Sequence, residues 1–149
     1  MAKSWWLCAG VAFVAWGGAV FAEGVVFRHA INDSPLDVKP GPNEVETEAV
    51  KTFKQTGRNL YRGDAQAIAE GKRLYEANCQ VCHLPDGSGR IGPSLIGDDW
   101  VHERVATDIG MFEVIYGGAS GAMQSFARRG MTQDQILKVV AYVRSLRKT

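Results

Sequence analysis

Cysteine is scarce in this sequence, and charge of neither sign dominates. The 149 residues include only 3 cysteines, too few for a disulfide-rich scaffold. Lysine and arginine number 17 against 16 aspartates and glutamates, so no basic excess is available to neutralise phosphates, and nucleic acid is not expected as a partner. No internal repeat or low-complexity tract occurs, which excludes solenoids and linkers. Because hydrophobic residues make up 46% of the chain, a folded core is expected.

The first 22 residues have the pattern of a secretory signal. Lys3 precedes an uncharged apolar run that ends at Phe21, and Ala22 supplies a small residue at a cleavage position. An uncleaved membrane anchor is the alternative, since the run approaches the length that spans a bilayer. We expect residues 1–22 to be removed as a signal peptide, together with Cys8, and the exported remainder not to insert stably in the membrane.

Residues 23–63 are predicted to form a mostly irregular segment. Prolines at 35, 40 and 42 and the turn-forming pair Pro40-Gly41 interrupt regular structure there. One short helix is expected over Glu46–Thr56, where Val50 and Phe53 form an apolar stripe. This stripe would dock on a larger body, so we expect the segment to be an extension packed on the domain that follows, residues 64–149.

Helices are predicted along that following domain. Asp64 is suited to cap a helix that runs to about Asn78. Gly71 interrupts this helix at a cost of about 1 kcal/mol relative to alanine, which suggests that another helix crosses there at close range.

Two further helices are signalled towards the C terminus. One is expected from about Thr107 to Tyr116, stopped by two glycines. The last begins at a capping box formed by Thr132 and Gln135, with a hydrophobic staple between Met131 and Ile136. No segment alternates with a period of two residues, so the expected fold is all-α, with three or four short helices joined by long loops. Its apolar residues are too few to form a large hydrophobic core by themselves, which suggests that a bound group fills the centre of the fold.

Cys79-Gln80-Val81-Cys82-His83 is a Cys-x-x-Cys-His motif, the attachment signature of c-type haem. Cysteines three apart on a helical turn share a face, where each can add to a vinyl group of one porphyrin, and His83 reaches the iron. A thioredoxin-like site would need a strand before the motif, whereas a helix is predicted there. A structural zinc site would need a further ligand, and no second cysteine pair is present at suitable spacing. One covalent haem c is therefore expected.

The sixth iron ligand decides between electron transfer and binding of external ligands. Met123 lies in a glycine-rich loop between two helices and is the favoured candidate. For Met111 and Met131 the alternative to iron ligation is packing in the core, because they lie within or beside predicted helices. His102 and His29 are further candidates, although histidines with charged neighbours are more often surface residues.

Two other residues are candidates for the surroundings of the haem. Pro93 follows the motif closely, and its carbonyl is placed to accept the Nδ1 hydrogen of His83, which would orient the imidazole; the alternative is a plain turn. Trp100 is either a buried anchor or a hydrogen-bond donor to a haem propionate.

Residues 64–149 resemble a class I cytochrome c. The resemblance rests on Gly71, Leu74, Tyr75, the Cys79–His83 motif, Gly92-Pro93, Met123 with Phe126 three positions later, and the final helix. It implies that the first and last helices of the domain cross near Gly71 and Tyr142. It also implies that Met123 is the sixth ligand and that the Pro93 carbonyl supports His83.

The extension adds a sharper resemblance, to cytochrome cL. It is carried by Val26–Arg28, Leu36–Val38, Thr47–Phe53, Thr56–Tyr61, Asp108–Phe112 and Gly117–Gly121. Cytochrome cL is the periplasmic electron acceptor of methanol dehydrogenases that use pyrroloquinoline quinone (PQQ). The resemblance therefore implies a monomeric periplasmic electron carrier, not an enzyme, that passes electrons to a downstream cytochrome c or an oxidase.

Alternatives remain open within this resemblance. Some members continue past the last helix, whereas this chain stops at Thr149, which leaves the dehydrogenase class open between calcium- and lanthanide-dependent; the lanthanide-dependent class is preferred. A calcium ion near a propionate, present in some relatives, is not predicted because no matching ligand set is identified. The chain would otherwise be a general periplasmic cytochrome serving a terminal oxidase or another dehydrogenase, or a five-coordinate haem protein that binds a gas or peroxide.

Charge is distributed unevenly along the chain. Residues 64–127 hold 4 basic and 9 acidic side chains, and residues 128–149 hold 6 basic and 1 acidic. Such polarity would orient the molecule on a partner at low salt. A solvated helix face that carries the basic residues is the alternative, namely Arg128, Arg129, Arg144, Arg147 and Lys148.

Overall fold

The computed structural model describes residues 24–147. The predicted signal peptide with Cys8, and Lys148 near the C terminus, lie outside the described residues. Among residues 24–147 the regular structure is helical, with one isolated β-bridge between Arg28 and Pro35. The helices are α1 (Glu48–Thr56), α2 (Ala65–Asn78), α3 (Gln80–His83), α4 (Asp108–Gly117) and α5 (Gln133–Leu146), with a 3₁₀ helix at Glu103–Ala106. The prediction of an all-α fold is confirmed.

Capping side chains set the starts of the longer helices. The Asp64 side chain accepts from the N–H of Ala67 at 2.7 Å, as predicted for the start of α2. Thr132 and Gln135 form the predicted capping box at the start of α5. α1 begins at Glu48, later than predicted, because Thr47 is extended and uses its hydroxyl as the cap.

α2 and α5 cross at Gly71. A Cβ at this glycine would lie 2.1 Å from the carbonyl oxygen of Lys138 and 3.1 Å from Cβ of Tyr142. Beside the crossing, the rings of Tyr75 and Tyr142 pack with their centroids 5.2 Å apart. The close approach explains why glycine, a poor helix former, occupies this position.

The segment before α2 contributes to the core rather than only covering it. Phe27 and Phe53 pack with Phe112 of α4, with ring centroids 5.1 to 5.9 Å apart. Nearby, the buried Glu113 accepts from the N–H of Arg28 at 2.6 Å and pairs with Arg104 at 2.8 Å. Residues distant in sequence therefore share one apolar centre.

A polar cluster ties the same segment to α5. Asp134 accepts from the hydroxyls of Tyr61 at 2.5 Å and Thr47 at 2.7 Å, and pairs with Lys138 at 2.9 Å. Burial favours the protonated acid, but these hydrogen bonds outweigh burial and lower the pKa of Asp134.

The basic residues near the C terminus do not form one solvated helix face. Arg144 is buried, pairing with Asp108 at 2.9 Å and donating to the carbonyl of Val105 at 2.7 Å. Arg147 pairs with Asp98. The alternative of a solvated basic face is therefore wrong for Arg144, because this side chain packs inward. Within residues 24–147 no helix has both the length and the apolar character needed to cross a bilayer.

Candidate haem site

One cavity of about 270 Å³ opens between α2, α4, α5 and the loops that follow α3 and α4. Its lining contains all six residues that the sequence identified as candidates for haem attachment, ligation or support: Cys79, Cys82, His83, Pro93, Trp100 and Met123. Most of the remaining lining is aliphatic or aromatic, including Val139 and Val143 of α5. An apolar cavity bordered by a few convergent polar groups is typical of a cofactor site.

The first side of the cavity, here the His83 wall, comprises residues 79–95. α3 is a single turn in which the N–H groups of Cys82 and His83 both donate to the carbonyl of Cys79. The chain then loops back, so that the N–H of Gly89 donates to the His83 carbonyl and the N–H of Gly92 to the Cys82 carbonyl, each at 3.0 Å. The motif is therefore fixed by backbone bonds within its own neighbourhood.

His83 is oriented by the end of this loop. Its Nδ1 lies 2.9 Å from the carbonyl oxygen of Pro93. A carbonyl only accepts, so Nδ1 carries a hydrogen, and in the neutral imidazole this leaves the lone pair on Nε2. Gly92 lies against the ring, where a Cβ would be 2.5 Å from Cε1 of His83. Any larger residue at this position would displace the imidazole.

Leu84 makes the sharp turn that leaves the motif. Its φ of 62° is unusual for a residue with a side chain. The fully buried Tyr75 of α2 donates its hydroxyl to the Leu84 carbonyl at 2.7 Å, and the N–H of Gly87 donates to the same oxygen at 3.2 Å. Burial raises the pKa of Tyr75, so its hydroxyl remains a donor at neutral pH.

The opposite side, here the Met123 wall, comprises residues 118–131, between α4 and α5. The N–H of Ala119 donates to the Met123 carbonyl at 2.8 Å, which closes a tight loop. The N–H of Phe126 donates to the Ile115 carbonyl at 3.0 Å, and the Ser125 hydroxyl to the Tyr116 carbonyl at 2.6 Å. This wall is thus attached to the end of α4.

The other candidate ligands lie in different places. Met111 is buried in α4 and also lines the cavity. His102 was expected to be a surface residue. It is half-buried and lines the cavity, because residues 100–105 fold over the rim of the cavity. His29 and Met131 do not line it.

The two thiols are half-buried at the cavity. Burial raises the pKa of the Cys79 thiol to about 12, against an opposing effect of the positive charge of Arg129. Arg129 was not singled out from the sequence as a site residue, yet it lines the cavity beside Phe126. The Phe126–Gly130 turn, closed by two backbone bonds, places it there.

Trp100 stands on the rim between the cavity and α5. It lines the cavity, while the guanidinium groups of Arg144 and Arg147 lie 5.8 and 5.4 Å from its ring centroid. These contacts fit the role of a packed anchor that cations hold in place.

The donor set fits haem c. Two thiols three residues apart, an imidazole with a free Nε2 lone pair and a thioether border the same apolar cavity. Gly92 supplies the space that the imidazole occupies. These are the groups that c-type attachment and histidine–methionine ligation require.

Comparison with known proteins agrees with this chemistry. Residues 66–143 match the family described as "Cytochrome C oxidase, cbb3-type, subunit III". Cytochrome c-L of Methylorubrum extorquens is 37% identical over 124 residues, which cover 83% of this chain but only 62% of that protein.

Two crystal structures of cytochrome cL are also similar. The protein from Methylophaga aminisulfidivorans is 40% identical, with a TM-score of 0.78 over 81% of this chain and 80% of the other. The protein from Hyphomicrobium denitrificans is 36% identical, with a TM-score of 0.79 over 84% and 75% of the two chains. The class I cytochrome c fold is thereby confirmed, and the chain belongs to the cytochrome cL family, whose members are electron-transfer proteins with covalently attached haem c.

Proposed function

We propose that this chain is a periplasmic one-electron carrier, which accepts electrons from a PQQ-dependent methanol dehydrogenase and passes them to a downstream cytochrome c or oxidase. The observation that carries the proposal is the convergence of Cys79, Cys82, His83 and Met123 on one cavity. Similarity to cytochromes cL over more than four fifths of the chain supports the choice of partner. The export signal predicted in residues 1–22 supports the compartment.

In this proposal Cys79 and Cys82 would hold the haem through thioether bonds, and His83 and Met123 would ligate its iron. When bound, haem supplies an iron that gains and loses one electron. Pro93 holds the proton on Nδ1 of His83, which directs Nε2 to the metal and strengthens its donation. A thioether opposite histidine favours the reduced form and so raises the reduction potential.

The rim of the cavity offers a place for a partner to approach. Ile91 and Val101 line the cavity and are nevertheless 68% and 70% exposed. Exposed apolar side chains at the edge of a cofactor cavity suit brief contact with a redox partner, because they desolvate readily without forming a permanent interface. Electrons would enter and leave by this edge.

The ligand assignment is tested with two methionine variants. Met123→Leu should abolish the weak red sulfur-to-iron band of the ferric protein, whereas Met111→Leu, a matched change in the same cavity, should leave it intact. Loss of the band in Met111→Leu alone would transfer the ligand role to Met111. A wild-type spectrum without the band and with high-spin features would instead favour a haem that binds external ligands.

The partner is tested by stopped-flow reduction of the ferric protein. Substrate-reduced methanol dehydrogenases of the calcium- and lanthanide-dependent classes are mixed with it at low and moderate salt. Fast reduction by one class, slowed by salt, would support the proposal and name the class. Failure with both, in protein whose spectrum shows intact methionine ligation, would contradict it.

A second candidate function is delivery of electrons to a terminal oxidase without a methanol dehydrogenase. The match of residues 66–143 to a subunit family of cbb3-type oxidases favours it. In this case the reduced protein should be oxidised rapidly by a cbb3-type oxidase, and both dehydrogenases should fail to reduce it. The two functions therefore differ in the donor and not in the cavity.

A further inference from the structure

Arg129 is held against the cavity by its own turn. The N–H of Arg129 donates to the Phe126 carbonyl at 3.1 Å, and its guanidinium lies 4.8 Å from the Phe126 ring centroid. Phe126 is itself buried and lines the cavity. Stacking on a buried ring restricts this exposed side chain to a position at the cavity edge.

The positive charge of Arg129 is not cancelled by a nearby carboxylate. Within residues 24–147 it forms no ion pair, whereas Arg104, Arg144 and Arg147 each pair with an acid. Arg129 lines the cavity together with Cys79 and Met123. Its positive charge therefore favours negative charge within the cavity.

We propose that Arg129 tunes the reduction potential, its unpaired guanidinium at the cavity edge favouring the reduced state. Reduction transfers one electron from the donor into the cavity and changes the charge there by minus one. A fixed positive charge at the edge lowers the free energy of the reduced state more than that of the oxidised state. Arg129 thus acts as an electrostatic neighbour of the cofactor and not as a ligand.

Arg128 provides a matched control. It precedes Arg129 in the same turn and is also exposed, yet it does not line the cavity. Its backbone N–H is bonded to the Ser125 hydroxyl, and a side-chain substitution leaves that bond in place. Neutralising either arginine changes the net charge equally, so only the position of the charge distinguishes the two variants.

The test is spectroelectrochemical measurement of the midpoint potential of the haem-loaded protein with small mediators. Arg129→Gln should lower the equilibrium constant for reduction by roughly two- to fourfold, as expected when a solvent-exposed charge beside the cavity is removed. The midpoint potential of Arg129→Lys should stay near that of the wild type. The midpoint potential of Arg129→Glu should shift about twice as far as that of Arg129→Gln, and that of Arg128→Gln should shift much less. High salt should shrink these differences.

Equal shifts in Arg128→Gln and Arg129→Gln would overturn the proposal, as would a series that follows side-chain size instead of charge. The inference rests on one part of the proposed function, namely that haem is bound in the cavity. Because no dehydrogenase is present in the measurement, a wrong assignment of the partner would leave this result unaffected. Loss of the red band in every Arg129 variant, the lysine variant included, would show a structural role and would also overturn it.

Discussion

The two walls of the cavity are built in different ways. The His83 wall is local, because the hydrogen bonds described above for it, including the bond from Tyr75 of α2 to Leu84, join residues close in sequence. The Met123 wall also has bonds within itself, in the loop closed at Met123 and in the Phe126–Gly130 turn, and it is in addition joined to the carbonyls of Ile115 and Tyr116 at the end of α4. The two walls therefore differ in what they are attached to: the His83 wall continues directly from α2, whereas the Met123 wall lies where the end of α4 places it.

This difference suits the roles proposed for the two walls. Covalent attachment requires the thiols and the imidazole in fixed relation, which short-range backbone bonds supply. The Met123 wall carries the weaker of the two proposed ligands and the charged Arg129, so its position is expected to adjust the potential more than to hold the cofactor. Substitutions on the two walls should accordingly differ in both size and kind of effect.

The largest expected effect comes from filling the space under His83. Gly92→Ala would place a Cβ 2.5 Å from the imidazole, whereas Gly97→Ala in the same region has its nearest neighbour at 3.9 Å. Overpacking of this kind costs about 1–3 kcal/mol. Urea unfolding of the haem-loaded protein should show that loss for Gly92→Ala and a much smaller change for Gly97→Ala; equal stability of the two would mean that the imidazole has room to move.

A smaller effect is expected on removing the Tyr75 hydroxyl. Tyr75→Phe leaves the carbonyl of the half-buried Leu84 with only the N–H of Gly87 as a donor, which should cost about 1 kcal/mol in unfolding free energy. The Nδ1 hydrogen of His83 should exchange faster with solvent when measured by NMR, while the red band is retained. Unchanged exchange would show that the turn at Leu84 does not support His83.

Ser125→Ala is the counterpart on the Met123 wall. It removes the hydroxyl that donates to the Tyr116 carbonyl and accepts from the N–H of Arg128. Because Ser125 is only half-buried and water can replace part of these bonds, a cost of about 0.5–1 kcal/mol is expected. Cyanide should displace Met123 faster in this variant and at the wild-type rate in Tyr75→Phe. The reverse result would contradict the assignment of local rigidity to the His83 wall.

The smallest effect concerns pH and the segment before α2. The folded-state pKa of Asp134 lies below its ordinary value of 3.8, so the stabilisation from its bonds is complete above that value and is lost as the pH falls through the folded-state pKa. The unfolding free energy should therefore decline in this acid range. Asp134→Asn should be less stable at neutral pH and should show a shallower acid decline; an identical slope would assign the decline to other carboxylates.

These contacts also limit how the extension is to be tested. Phe27, Val50 and Phe53 are buried in the shared core, so deletion of the whole segment would expose that core as well as remove a surface. Substitutions at exposed extension residues such as Val26 and Val45 leave the core intact. A slower reduction by the dehydrogenase in such variants would place the partner on the extension.

Patterns within a few residues of each other were readable from the sequence alone. The caps at Asp64 and Thr132 and the Cys79–His83 motif depend on local geometry, so their outcome did not need the rest of the chain. Gly71 signalled a close crossing, but its partner there, the Lys138 carbonyl of α5, is distant in sequence. Tertiary structure decided which distant residues share the cavity. Met111 and Met123 both reach it, His102 lines it despite its charged neighbours, Arg144 turns inward, and Arg129 stands at its edge. The reason is physical: a capping bond or a helical turn is set by residues a few positions apart, whereas burial and charge at a cavity depend on how α4, α5 and their loops pack.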